Sequence, residues 1–277
     1  MVDNSNLFQK VILNNKVIVP NRLVVPPITL FASGDEGEIT QEEREYLSKR
    51  AKGYGLYILG ASAVGQEGLN SRGQPKAINE KDIPSLAERA KIIKDQGTLA
   101  ICQIVDGGIS VSKKLTYEDI LRIIKDFAKG TELCIRAGYD GIELHGANNC
   151  LMQQFFLGYY NKRNDDWGGS IEKRMRFPLE VIDACIKIRD KYNKPEFIIG
   201  YRLSPEEPFE NGITMTETLQ LVKELVKKPI QYIHISQKNY FQETRRGEGK
   251  GIPRLELIHK ITKGKVALIG FGIGRII

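Results

Sequence analysis

The chain has 277 residues, 41% of them hydrophobic, 27% charged and 8% aromatic, the balance of a globular protein, so disorder, collagen and coiled coil are excluded. Forty-one Lys and Arg against 34 Asp and Glu give a net charge of +7, spread along the chain except for a small knot at Arg245, Arg246 and Lys250. That excess suits anionic small molecules at least as well as nucleic acid, and the sequence has no basic stripe interleaved with aromatics, so no nucleic-acid partner is expected.

The first ten residues lack the basic start and apolar core of a signal peptide, and no apolar run approaches the ~20 residues of a membrane span. A cytoplasmic protein without membrane contact is therefore expected. Cys102, Cys134, Cys150 and Cys185 form no CxxC pair and read as reduced thiols. The histidines are His145, His234 and His259, without an HExxH motif, and no bound metal is expected.

In chain order, the segment VILNNKVIVPNR (11–22) offers two short β runs around Asn14-Asn15, a hairpin signal because Asn tolerates positive φ. Such a hairpin could close the bottom of a barrel. Seven apolar, β-branched runs follow: RLVVPPIT (22–29), LYILGASAV (56–64), TLAICQIV (98–105), GIELHGA (141–147), FIIGYRLS (197–204), YIHISQ (232–237) and VALIGF (266–271). Their starts are spaced by 34, 42, 43, 56, 35 and 34 residues. Continuous rather than alternating apolar runs predict strands buried on both faces, as in a parallel sheet covered by helices.

The intervening stretches carry helical period. Ile83, Leu86, Ala90 and Ile93 share one face before a stop at Gly97, and Ile120, Ile124, Phe127, Cys134 and Ala137 share another before Gly138. Thr40 with Glu43 and Thr214 with Glu217 have capping-box spacing. With no linker or composition break, residues 1–277 read as one α/β domain. The series admits a barrel or an open doubly wound sheet. The open sheet should show G-x-G-x-x-G after its first strand, where Pro26-Pro27 stand instead, so a (β/α)8-type barrel is expected.

In such a barrel the site lies at the C-terminal ends of the strands. The residues there are Thr29, Ala61 and Ser62, Gln103, His145 with Asn148, Arg202, Ser236 and Gly272, a polar, donor-rich set suited to holding a cofactor that does the chemistry itself. His145 and Asn148 could grip a carbonyl or phenolate oxygen, or be a structural histidine and a turn asparagine. Arg202, inside a strand-like run, needs an anionic or carbonyl partner, which a neighbouring strand could also supply. Gln103 alone is uninformative, since a strand-end Gln is commonly solvated or bonded to backbone.

The blocks VPNRLVVPPITLFAS, GASAVGQEG, GYDGIELHGANNCLMQQFF, NKRNDDWGGSIEKRMRFPLEVIDA (161–184) and IIGYRLSPEE resemble the old yellow enzyme family of FMN-dependent NAD(P)H oxidoreductases, in its short bacterial branch. The resemblance implies a TIM-type barrel carrying FMN at its top, with Pro27, Ile28, Thr29, Ala61, Gln103 and Arg202 lining the flavin. Thr29 would lie by the flavin O4, and Arg202 would face the N1–O2 edge and favour the anionic reduced ring. His145 and Asn148 match the pair that binds the carbonyl oxygen of an activated alkene or a phenol, and hydride would pass from NAD(P)H through flavin N5 to that alkene, a quinone or a similar acceptor.

The chain also departs from the family pattern. Cys150 stands where a proton-donating tyrosine is usual, and Asp106-Gly107-Gly108-Ile109 replaces the usual continuation of the third strand. The sequence stops just past its seventh strand run, so the eighth βα unit is expected to be missing, leaving Gly272 in the one phosphate loop supplied. Weak FMN retention and self-association as a homo-oligomer would follow. The competing expectation is an impaired family member acting at most as a flavin- or ligand-binding scaffold.

Overall fold

The computed structural model describes residues 5–108 and 115–270. A two-stranded antiparallel pair, β1 (Val11–Ile12) and β2 (Ile18–Val19), comes first. Seven parallel strands then line up in chain order as one sheet: β3 (Val24–Val25), β4 (Leu56–Ala63), β5 (Leu99–Val105), β6 (Gly141–Gly146), β7 (Ile198–Leu203), β8 (Tyr232–Ile235) and β9 (Ala267–Gly270). Helices α1 (Gln41–Ser48), α2 (Ile83–Lys94), α3 (Tyr117–Arg136), α4 (Leu151–Phe156), α5 (Ile171–Lys191), α6 (Met215–Leu225) and α7 (Arg254–Thr262) alternate with them, two of them following β6. This is the expected (β/α)8-type barrel, with seven of its strands and no eighth βα unit among the described residues. The end strands β3 and β9 both line a cleft of about 480 Å³.

Strand parity explains the interior. The inward positions near the N-terminal ends are aliphatic: Leu56 and Ile58 on β4, Ile101 on β5 and Ile198 on β7 cluster with Leu13 and Val19 of the hairpin. Hairpin residues thus plug the bottom of the barrel, as predicted. Asn14 Nδ2 donates to Ile230 O at 2.7 Å, and Gln231 Nε2 donates back to Asn14 Oδ1 at 3.0 Å. The left-handed turn residue is Lys16 (φ 69°), not either asparagine, and both asparagine amides tie the turn to the barrel. The outward strand positions face the helices and build the larger core, which includes Cys102, Leu144, Tyr201 and Ile233.

Helix ends follow their residues. Thr116 caps α3, Thr214 and Glu217 make a full capping box on α6, and Gly138 takes φ +84° just past α3. At α1 the predicted box is only half made: Thr40 accepts from Glu43 N at 3.3 Å, but the Glu43 carboxylate turns to Arg89 instead. Arg89 Nε and Nη2 meet the two Glu43 oxygens at 2.7 and 2.8 Å, and Nη2 also reaches Gly37 O and Ser33 Oγ. Both side chains are buried, at 0% and 1% exposure. This pair fastens the long segment between β3 and α1 to α2.

Removing one partner leaves the other charge buried and uncompensated, so Arg89→Met is expected to cost about 3–5 kcal/mol in urea unfolding. The Arg89→Met, Glu43→Leu double variant should recover most of that loss. A single-variant cost under about 1 kcal/mol, the range of an exposed pair, would show that the pair does not hold the segment.

Candidate functional site

Toward the C-terminal ends of the strands the inward positions change from aliphatic to polar. Register aligns Gln103 of β5 with Glu143 of β6, and aligns His145 of β6 with Arg202 of β7 and His234 of β8. At the lower of these levels β7 carries Gly200, where an added Cβ would lie 2.1 Å from the Tyr232 ring. Glycine there lets the tyrosine of β8 fill the interior under the polar groups.

Glu143 is fully buried. Its Oε1 accepts from Gln103 Nε2 at 2.7 Å and its Oε2 lies 2.9 Å from His234 Nδ1. Burial by itself would push the Glu143 carboxyl up, yet the facing His234 and Arg202 hold it below the ordinary carboxylate range. His145 is 7% exposed, and its Nδ1 has no hydrogen-bond partner among the described residues. Burial, with the Arg202 charge second, lowers its pKa to about 3, so the ring is neutral at physiological pH.

Asn148 and Asn149 adopt left-handed φ values of 54° and 65° in the turn after β6, a region Asn enters more readily than most residues. The Asn148 Oδ1 accepts from Ser236 Oγ at 3.0 Å, and Arg202 Nη2 donates to that same hydroxyl at 3.2 Å. Because the hydroxyl proton goes to the amide oxygen, the NH2 end of Asn148 is left as the outward donor. Asn148, Arg202 and Ser236 line a cavity of about 810 Å³ at the strand ends, together with Tyr160, Glu207 and Arg245.

The remaining predicted positions spread around the β3 side. Pro27, Ile28 and Thr29 follow β3, with Ile28 53% exposed. A Cβ at Gly60 would lie 2.9 Å from Pro27, so the small residue lets this segment lie against β4 beside Ala61. Thr29 lines a separate hollow with Gly60, Ser33 and Glu43. Cys150 is the N-cap of α4 and is buried, and burial pushes its thiol up to about 12. Gly272 lies outside the described residues.

Two readings made from the sequence change in detail. Gln103 is neither solvated nor bonded to backbone, because a buried carboxylate claims its amide. The basic knot is partly structural: Arg246 Nη2 donates to Glu207 O at 2.8 Å and Ile213 O at 3.3 Å, while Glu206 accepts from the backbone N–H of both Arg245 and Arg246. Glu143 and His234 were passed over as site residues. Their signal was available, since each is a titratable side chain at an inward parity in an otherwise apolar run, where it needs a partner.

The N-x-R-x-D-x-W-G-G-S block stands beside the site and anchors it. Asn161 Nδ2 donates to Phe155 O and Trp167 O, each at 2.7 Å, and Arg163 Nη1 donates to Leu115 O at 2.7 Å. Ser170 then caps α5.

Residues 6–114 and 107–276 match the sequence profile of the NADH:flavin oxidoreductase / NADH oxidase family. A probable NADH-dependent flavin oxidoreductase of Bacillus subtilis (strain 168) is 37% identical over 96% of this chain and 78% of its own length. The NADH:fumarate oxidoreductase of Klebsiella pneumoniae (strain 342) is 35% identical over 85% of this chain, which spans only 28% of that longer protein. Among solved structures, an old yellow enzyme homologue from Zymomonas mobilis superposes with a TM-score of 0.80 at 22% identity, covering 97% of this chain and 83% of that one. The chain therefore belongs to the NADH:flavin oxidoreductase / NADH oxidase family, and shares its fold with old yellow enzyme homologues.

Proposed function

We propose that this chain binds FMN at the mouth of its barrel and reduces a small acceptor, an activated alkene or a quinone, at the expense of NAD(P)H. The observation that carries the reading is the set of donors at adjacent strand ends: Asn148 and cationic Arg202 line the 810 Å³ cavity, and neutral His145 stands in register with Arg202 on the neighbouring strand. The residues fit the cofactor. Gln103 and Arg202 offer hydrogen bonds and positive charge, exposed Ile28 with Pro27 offers an apolar face, and Gly60 and Ala61 keep the neighbouring strand end small. When bound, FMN supplies a two-electron hydride relay between the nicotinamide and the acceptor.

Each side chain then has a separate task. Arg202, with its charge always present, favours the anionic form of the reduced ring. Gln103 and the segment Pro27–Ile28–Thr29 hold the ring system. His145 and Asn148 donate to the oxygen of an enone or phenol and stabilise charge growing on it. A neutral His145 suits this role, since it donates without adding a second cation beside Arg202. Cys150 is a reluctant proton donor at a pKa of about 12, so water reaching the mouth is the better source for the carbon that must be protonated.

Titration with FMN is the direct test, read by visible absorption and quenching of the free cofactor's fluorescence; a chain that binds none is not a flavoprotein of this kind. A para-substituted phenol added to the oxidised complex should produce a long-wavelength charge-transfer band. In the His145→Ala, Asn148→Ala double variant, loss of two donors at about 1–1.5 kcal/mol each should weaken phenol binding by roughly 30- to 150-fold. Equal band strength and affinity in the double variant would remove both residues from ligand binding.

The neutral state of His145 has its own consequence. With a folded pKa of about 3 against an ordinary 6.5, the unfolded chain takes up a proton that the folded one refuses as pH falls between those values. Stability linked to this residue is intact above pH 6.5 and declines toward pH 3, by at most about 1.4 kcal/mol per pH unit. His145→Asn should flatten acid destabilisation by about that slope in urea titrations without ligand. Parallel stability curves for both proteins would mean that His145 is protonated in the fold.

A further inference from the structure

We propose that Glu143 is a positioning residue for the flavin: it fixes which end of the Gln103 amide faces the barrel mouth and offsets part of the Arg202 charge. The inference rests on the FMN reading above and concerns a residue to which that reading gives no role. An ionised carboxylate can only accept hydrogen bonds, so Gln103 must turn its NH2 group toward Glu143 Oε1, and its carbonyl oxygen is left facing away. The second oxygen, 2.9 Å from His234 Nδ1, requires that ring nitrogen to carry the proton. One carboxylate thereby sets the polarity of two neighbouring side chains.

Packing does not require a charge at this level. The cluster beneath is filled by Leu56, Ile58, Ile101, Ile198 and the ring of Tyr232, and exchanging buried ionic groups for apolar ones of similar volume is commonly neutral or stabilising. What an aliphatic residue cannot supply is negative charge one strand away from Arg202. Glu143 is the leading charge opposing the effect of burial on Arg202, so the two groups act on one another inside the barrel. Removing the carboxylate unmasks the guanidinium and favours a reduced, anionic ring over an oxidised, neutral one.

The test is the reduction potential of bound FMN, with separate affinities for oxidised and reduced cofactor. Glu143→Gln is compared with wild type, and the Glu143→Gln, His234→Gln pair with His234→Gln alone, a background in which the imidazole facing Glu143 is absent. In each comparison the ratio of reduced to oxidised affinity should rise about tenfold, a positive shift of about 30 mV for a two-electron couple. Glu143→Asp, which keeps the charge, should stay near wild type.

If the carboxylate is only a structural brace, both redox forms bind more weakly by the same factor and the potential does not move; that result overturns the proposal. Two independent backgrounds keep the comparison available if one variant does not fold. Failure of the wild-type chain to bind FMN is a different result, visible before any variant is made, and it removes the flavin reading together with this inference.

Discussion

A carboxylate without access to water stands inside this barrel, and the arrangement at the mouth follows from it. Glu143 needs both oxygens satisfied, and Gln103 and His234 satisfy them from the strand on one side and from the second strand along on the other. Arg202 then lies on the intervening strand, one level nearer the mouth, where its charge is partly balanced. His145, in the same layer as Arg202, is left uncharged because a further cation there would be desolvated and repelled. Four strands thus contribute to one electrostatic unit, and none of its members could be exchanged without disturbing the others.

The same strands divide the work along their length. Their lower inward positions are aliphatic and close against Leu13 and Val19 of the hairpin, so the floor is an apolar cluster separate from the larger core under the helices. Among the described strand residues, the polar groups Gln103, Glu143, His145 and Arg202 occupy the upper levels, toward the mouth. The segment between β3 and α1 is fastened by a second buried ion pair, Arg89 with Glu43, well away from the first. Buried charges therefore stand on several sides of the mouth: Glu143 inside the barrel, Glu43 with Arg89 between the helices, and Glu206 with Arg254 in the wall of the cavity.

Much of the architecture was legible because it rests on period and spacing. Seven continuous apolar runs announced a parallel sheet, and Gly97 and Gly138 both take positive φ just beyond the helices they were expected to end. The candidate site was legible as a set of strand-end residues: Asn148 and Arg202 line one cavity, and His145 pairs in register with Arg202. The partners of those residues were not. Nothing local in GIELHGA tells which strands will face Glu143, since Gln103 is 40 residues away and His234 91. Tertiary competition likewise hid the fate of Glu43, whose capping spacing was correct but whose carboxylate finds a stronger partner in Arg89.

The specific sequence block illustrates how a family marker and a working residue differ. Asn161, Arg163, Trp167 and Ser170 make no contact with the cavity beside Arg202; their hydrogen bonds tie the end of α4 to the start of α5. Because α4 begins directly after the left-handed turn at Asn148 and Asn149, this knot holds the helix on which that turn closes. Gln153 and Gln154 in α4 bind the Asn149 backbone from the helix side, through its N–H and its carbonyl respectively. A motif that lines none of the cavity can thus be tied to it through one helix: it holds the turn that carries Asn148, so a change in the block would reach the cavity wall through the backbone conformation of that turn.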